Sequence, residues 1–308
     1  MSQQTEAPPR AGATTPKPRR NRGELWVALL FIAPAAIGFG VFYLYPTLRG
    51  IYLSFTEYSL LGTPEFIGLE NYQNIVGDEL FWNAMKVTVW YVILNIGFQT
   101  IIALGLAVLM HRLTQSTVLR GLVLTPYLIS MVVVSLLWFW MLDFQIGIVN
   151  EVLEAIGIGR VPFFGSETWA IPTIAWVNVW RFVGYTALLI FAGLQTIPQT
   201  VYEAAAIDGS SEWRTFWQIT VPLLRPILVL VLVLTVIGSF QIFDTVAVTT
   251  QGGPGNASRV IMFYIFERAF ERSDFGYASA LSMILFVILA GVAIAQLKIL
   301  RGGESDVA

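Results

Sequence analysis

Asn178, Arg181 and Tyr185 stand at i, i+3 and i+7 in a strongly apolar stretch. On a helix that spacing puts an amide, a guanidinium and a phenol on one face. Trp176 and Trp180, at i and i+4, fall on a neighbouring face. Asn95 and Gln99 repeat the i, i+4 pattern in an earlier apolar stretch, and Gln241 and Asp244 close a later one. The set suits reversible recognition: donors for hydroxyl groups, and flat rings to stack on the C–H faces of a sugar. Arg181 is the only charge well inside an apolar segment. Such a group costs roughly 2.5–3.5 kcal/mol on the insertion scale and so points to function. Two blander readings compete: the long side chain snorkels to the outer interface, or it pairs with an acid on another helix. Hydrogen bonding between helices explains Asn95 and Gln99 equally well.

Bond-breaking chemistry finds little support. There is no cysteine and one histidine, His111, which excludes disulfides, thiolate metal sites and a cysteine nucleophile. A zinc site or a Ser-His-Asp triad would have to use His111, and no ligand-spaced partner lies nearby in sequence. Gly252-Gly253-Pro254 is glycine-rich, but no Gly-Lys-Ser/Thr follows, and Lys17, Lys86 and Lys298 lie elsewhere. Without a P-loop the chain is not expected to bind ATP, and a tight turn at the outer membrane surface is the better reading. No cofactor or metal is expected. Net charge is −2, so no basic surface suggests nucleic acid.

The elements that position these residues follow from composition. Of 308 residues 56% are hydrophobic and 12% charged, and the mean hydropathy is +0.69. A soluble domain carries about 25% charge, so lipid is the expected solvent. Six stretches reach the roughly 20 residues that cross a bilayer: about 25–45, 87–110, 122–142, 171–194, 223–243 and 278–297. Each must be helical, since an open strand in lipid leaves its backbone unpaired. The fold class is therefore all-α integral membrane, with six transmembrane helices. Residues 1–24, rich in Pro, Thr, Gln and Arg, read as a disordered tail, and 301–308 as a short C-terminal tail. The first stretch resembles a signal peptide in its basic flank and Ala33-Pro34-Ala35, but its apolar run is too long for one. With the N-terminus inside, eleven Lys and Arg fall on the cytoplasmic side and six outside. This bias makes both termini, and the loop at 195–222, cytoplasmic.

That loop is unusually structured for a link between spans. Glu203-Ala204-Ala205-Ala206 favours helix, Gly209 breaks it, and Ser211 can cap a second helix through a single bond, since Arg214 completes no capping box. Trp213, Phe216 and Trp217 cluster on one side of the second helix, and Pro222 marks the approach to the next span. On pattern alone, an interfacial helix pair with tryptophans in the headgroup layer is as good a reading.

Here the chain resembles a family. Glu203-Ala204-Ala205, three residues, Gly209, nine residues, Ile219, one residue, Val221-Pro222 is similar to the EAA loop of ATP-binding-cassette importer permeases, with Val221 where leucine is usual. Phe66 to Tyr72, Gly147 to Asn150, Thr250 to Pro254, Ala269-Phe270 and Gly276 to Ala280 resemble further elements of that family, the last three of its carbohydrate-uptake branch. The resemblance implies the type I, MetI-like importer fold in a bacterial cytoplasmic (inner) membrane. It implies a coupling helix, with Glu203 docking, Gly209 turning, and Ala204, Ala205, Asp208, Ile219 and Pro222 completing the loop. It also implies partners: cytoplasmic ABC ATPase subunits that hydrolyse ATP, a second homologous permease packed on the first span, an extracytoplasmic substrate-binding protein and a sugar-type substrate. The chain itself is then no enzyme. A self-sufficient secondary transporter with six spans is the alternative, but no internal repeat relates 25–142 to 171–297. An intramembrane enzyme lacks its nucleophile–base pair.

Overall fold

The computed structural model describes residues 22–59, 62–113 and 116–301. The expected tails, 1–24 and 301–308, lie outside the described residues except for 22–24 and Arg301, which are helical. The chain divides into two compact units, Met1–Arg49 and Gly50–Ala308.

The first unit holds α1 (Arg22–Phe39), a π-helical turn (Gly40–Leu44) and the start of α2 (Tyr45–Leu53). The widened turn lies just before Pro46, which has no N–H to donate and whose ring crowds the carbonyl four residues back. Trp26, Leu30, Phe31 and Phe42 are exposed, as suits side chains solvated by lipid.

The second unit begins with a two-residue antiparallel ribbon, β1 (Thr56–Glu57) and β2 (Glu65–Phe66), pairing Thr56 with Phe66 and Glu57 with Glu65. Then follow α3 (Glu70–Val76), α4 (Glu79–Leu113), α5 (Thr117–Leu128), α6 (Met131–Met141), α7 (Ile148–Ala155) and α8 (Ala170–Leu194). After these come α9 (Gln199–Ile207), α10 (Glu212–Thr215), a π-helical turn (Phe216–Thr220), α11 (Val221–Leu223) and α12 (Arg225–Phe240). α13 (Asp244–Thr249), α14 (Ile261–Phe266), a last π-helical turn (Glu267–Glu271) and α15 (Phe275–Arg301) complete it.

Among the described residues five helices are long and apolar enough to span a membrane: 29–53, 79–112, 170–194, 225–249 and 275–298. The third expected span, 122–142, is not one straight helix. α5 and α6 meet at 89°, and six spans are counted only if this bent pair is one. Pro126 weakens the end of α5, and Ile129 and Ser130 are extended, with ψ of 140° and 138°. The second span begins eight residues earlier than expected because Asp78 caps it, accepting from Leu80 N at 2.9 Å.

α4 and α8 lie along each other, α12 packs on α4, α8 and α15, and α5 packs on α8. A Cβ at Gly184 would run into the Val123 carbonyl, so glycine there lets α5 and α8 touch. Two apolar cores result. One joins Tyr91, Ile174, Phe240, Val246 and Leu281; the other joins Ala103, Ala107, Ile190, Leu194 and Val231. Along α4 and α8 a polar layer separates them: Asn95 and Gln99 on α4, Asn178 and Arg181 on α8.

The loops are stitched by the asparagines of the motifs. Asn71 donates to Ser54 O and Thr56 O at 3.1 and 2.9 Å, and fully buried Asn150 donates to Val161 O and accepts from Val161 N. The glycine loop holds positive φ at Gln251, Gly252, Gly255 and Asn256, with Ser258 bonded to Thr250 and Gly253 across it. The start of α4 is clasped by Asp78, which accepts from Tyr264 Oη and, at 2.6 Å, from Tyr277 Oη. Burial pushes the Asp78 carboxyl up, but the two phenols and the Leu80 and Phe81 amides outweigh it and hold it below the usual range. Tyr264 is pushed up to about 12, first by burial and then by its bond to Asp78.

Candidate functional site

The polar layer surrounds a cavity of about 220 Å³. α4 contributes Asn95 and Gln99, α8 contributes Asn178, Arg181 and Tyr185, and the α12–α13 joint contributes Gln241 and Asp244. Seven of the nine residues singled out by sequence thus meet around one space. Trp176 and Trp180 do not line it: Trp176 is exposed, and Trp180 packs edge-on against Trp138 at 5.5 Å. Each position along a helix turns the side chain by about 100°, so these two rings are carried off the face of Asn178 and Arg181.

Three helices are tied by side chains at the cavity wall. Asn95 Nδ2 donates to Ser239 Oγ at 2.9 Å and to Gln99 Oε1 at 3.2 Å, and Gln99 Nε2 donates to Thr186 Oγ1 at 2.8 Å. This is the interhelical bonding that the sequence left as an alternative. It does not exhaust the group: Asn95 Oδ1 is buried with no partner among the described residues, a site where a ligand hydroxyl would be well received. Ser239 and Thr186 escaped the sequence reading, although Thr235 and Ser239 are also an i, i+4 polar pair.

Among the described residues Arg181 forms no ion pair with an acid. Its Nε donates to Ile129 O at 3.0 Å, at the break between α5 and α6. Its guanidinium carbon lies 4.7 Å from the Phe182 ring centre and 5.6 Å from that of Tyr127. Tyr127 in turn stacks on Tyr185 at 4.5 Å.

The loop between α8 and α12 has the helix–glycine–helix form that the sequence predicts. At the end of α9, Gly209 N bonds Ala206 O and Ser210 N bonds Ala205 O, with Gly209 at φ +72°. This is a Schellman closure, which requires the left-handed residue that glycine supplies. Ser211 caps α10 by accepting from Arg214 N. Glu203, Ala204, Asp208, Gly209 and Pro222 are exposed, Ile219 is half-buried, and Ala205 is buried. Ile207, overlooked in the sequence, is 86% exposed, and Trp213 is 72% exposed. Arg112, at the end of α4, bonds Glu212 at 2.6 Å, so the loop is tied to the helix that carries Asn95 and Gln99. The lone His111 lies edge-on to Phe191, and among the described residues no group of three His, Cys, Asp or Glu could hold a metal.

Long apolar helices around a polar cavity, with a preformed loop at one end, define a membrane transport subunit. The family model described as "binding-protein-dependent transport system inner membrane component" matches residues 99–299, and the chain belongs to that family of ABC-importer permeases. It is 36% identical over 282 residues to the sulfoquinovosyl glycerol transport system permease protein of Agrobacterium fabrum, covering 91% of this chain and 92% of that one. It is 33% identical over 280 residues to the trehalose/maltose transport system permease protein of Thermococcus litoralis, covering 90% and 95%. A solved bacterial ABC transporter involved in import of the acidic polysaccharide alginate shares the fold, with TM-score 0.80 at 22% identity over 91% of this chain and 96% of that one. The fold is thus the importer permease fold, and the protein is a multi-pass inner-membrane permease subunit.

Proposed function

We propose that this permease carries a sugar or sugar derivative through the cavity between α4, α8 and α12, driven by ATP hydrolysis in a separate subunit docked on the loop 203–222. A loop with a self-closed turn, exposing Glu203 and Ile207 and tied by Arg112 to a cavity helix, is the observation that carries this reading. Glu203 offers a carboxylate for a charge-assisted contact, and Ile207 an apolar tip. When two ATPase subunits close, they draw the loop of this chain toward that of a second, homologous permease. Displacement of the loop pulls on α4 and α12, and the cavity opens alternately to the two sides. An extracytoplasmic binding protein delivers the substrate. The basic residues Arg112, Arg120, Arg214 and Arg225, all at the loop end, support a cytoplasmic position for the loop and both termini. The amide-rich cavity and the glycosides named for the relatives support a sugar.

The test is reconstitution with the ATPase, the second permease and the binding protein, followed by uptake and ATPase assays. Glu203→Ala is expected to cut uptake about tenfold or more by removing a charge-assisted contact. Gly209→Asp is expected to lower uptake about tenfold, because the left-handed backbone there costs an L side chain about 1–2 kcal/mol. If the complex forms and both variants bind ATPase and transport as the parent does, the loop is not the joint. Uptake driven by an ion gradient without ATPase would overturn the ATP-driven reading.

A further inference from the structure

The geometry points to an anion-reading role for Arg181: the cavity selects a sugar that carries an oxyanion, as a sugar acid or sugar phosphate does. This rests on the sugar reading above and narrows it. A guanidinium has five N–H donors in a fixed fork. Nε is committed to Ile129 O, and among the described residues no acceptor takes the four on the Nη atoms and no carboxylate forms an ion pair with Arg181. Asp244 lines the same cavity yet stays outside ion-pairing distance. Among the described residues the positive charge therefore has no ion-pair partner, only the longer-range field of Asp244, and a bound oxyanion can take that place.

The position of the fork is fixed. The Ile129 carbonyl holds its Nε, and the Tyr127 and Phe182 rings flank it, so little freedom is lost when two Nη donors grip an oxyanion in parallel. A carbonyl cap alone would need one donor. Neutral hydroxyls are already provided for by Asn178, Gln241, Asp244 and the unpartnered Asn95 Oδ1. Those groups read the ring, and Arg181 reads its charged substituent.

The experiment uses the assembled importer, permeases with ATPase, in lipid nanodiscs without binding protein. Equilibrium dialysis measures methyl β-D-glucuronide, glucose 6-phosphate and methyl β-D-glucoside against the parent, Arg181→Met and Arg181→Lys. The parent is expected to bind at least one anionic probe about tenfold or more tighter than the glucoside, the scale of a hydrogen bond to a charged group. Arg181→Met is expected to erase the preference while retaining the glucoside, and Arg181→Lys to restore part of it. Equal binding of all three probes by the parent overturns this inference and leaves the sugar reading intact. A preference that survives in Arg181→Met overturns it as well. Absence of saturable binding by any probe overturns this inference, and the sugar reading is decided separately by the reconstituted uptake assay. Should Arg181→Met fail to assemble, the parent's ratio and that of Arg181→Lys still decide.

Discussion

The two ends of α4 are held in opposite ways. At its start, the half-buried Asp78 receives two phenols and a backbone amide, and one of the phenols belongs to fully buried Tyr264. At its far end, Arg112 reaches Glu212 across the surface, with side chains 49% and 83% exposed. The first is a fixture, since charged hydrogen bonds shielded from water are strong and directional. The second is a compliant link, because an exposed ion pair is screened and contributes little. Between them, Asn95 and Gln99 face the cavity. A helix clamped at one end and lightly tied to the 203–222 loop at the other can swing its middle when the loop is displaced, as the proposed coupling requires.

The strongest way to break this contrast is at the clamp. Asp78→Ala is expected to cost about 2–3 kcal/mol by stranding two tyrosine hydroxyls, read as thermal unfolding in detergent. The difference should depend on acidity. The folded carboxyl titrates below its ordinary 3.8, so the parent's advantage is full above pH 3.8 and fades as pH falls through the folded value. An advantage unchanged at lower pH would mean that Asp78 acts by packing alone. In the middle of the helix, Gln99→Leu is expected to cost about 1–2 kcal/mol, because Thr186 loses its donor while the apolar replacement suits the surroundings. A neutral effect would show that the polar layer is slack. Smallest in stability is the link: Arg112→Ala and Glu212→Ala should each change it by under about 1 kcal/mol, yet a double-mutant cycle on ATP-coupled uptake should reveal coupling between them. Purely additive effects on uptake would remove the link from the transmission path.

Most of this was legible where a residue type contradicts its solvent. Asn95, Gln99, Asn178, Arg181, Tyr185, Gln241 and Asp244 are polar groups in apolar stretches, and the fold gathers them around one cavity. Glu203 to Gly209 is ordered sequence where a link needs none, and it closes as a helix and turn. The break between α5 and α6 escaped because hydropathy reports side chains and is blind to a change of backbone direction; Pro126 was its only trace. Trp176 and Trp180 were placed near the cavity by ring chemistry, but rotation about α8 sends them elsewhere. The partner of Arg181 was invisible for a related reason: it is a backbone carbonyl, and any residue at 129 would supply one.

The internally closed turn at Gly209 bears on how often the machine can run. A docking surface that keeps its shape alone has little disorder to surrender on contact. Release then means parting surfaces, with no segment to melt and re-form. In the proposed coupling, the grip on the ATPase can then be firm while force is applied and still be relinquished promptly, turnover after turnover.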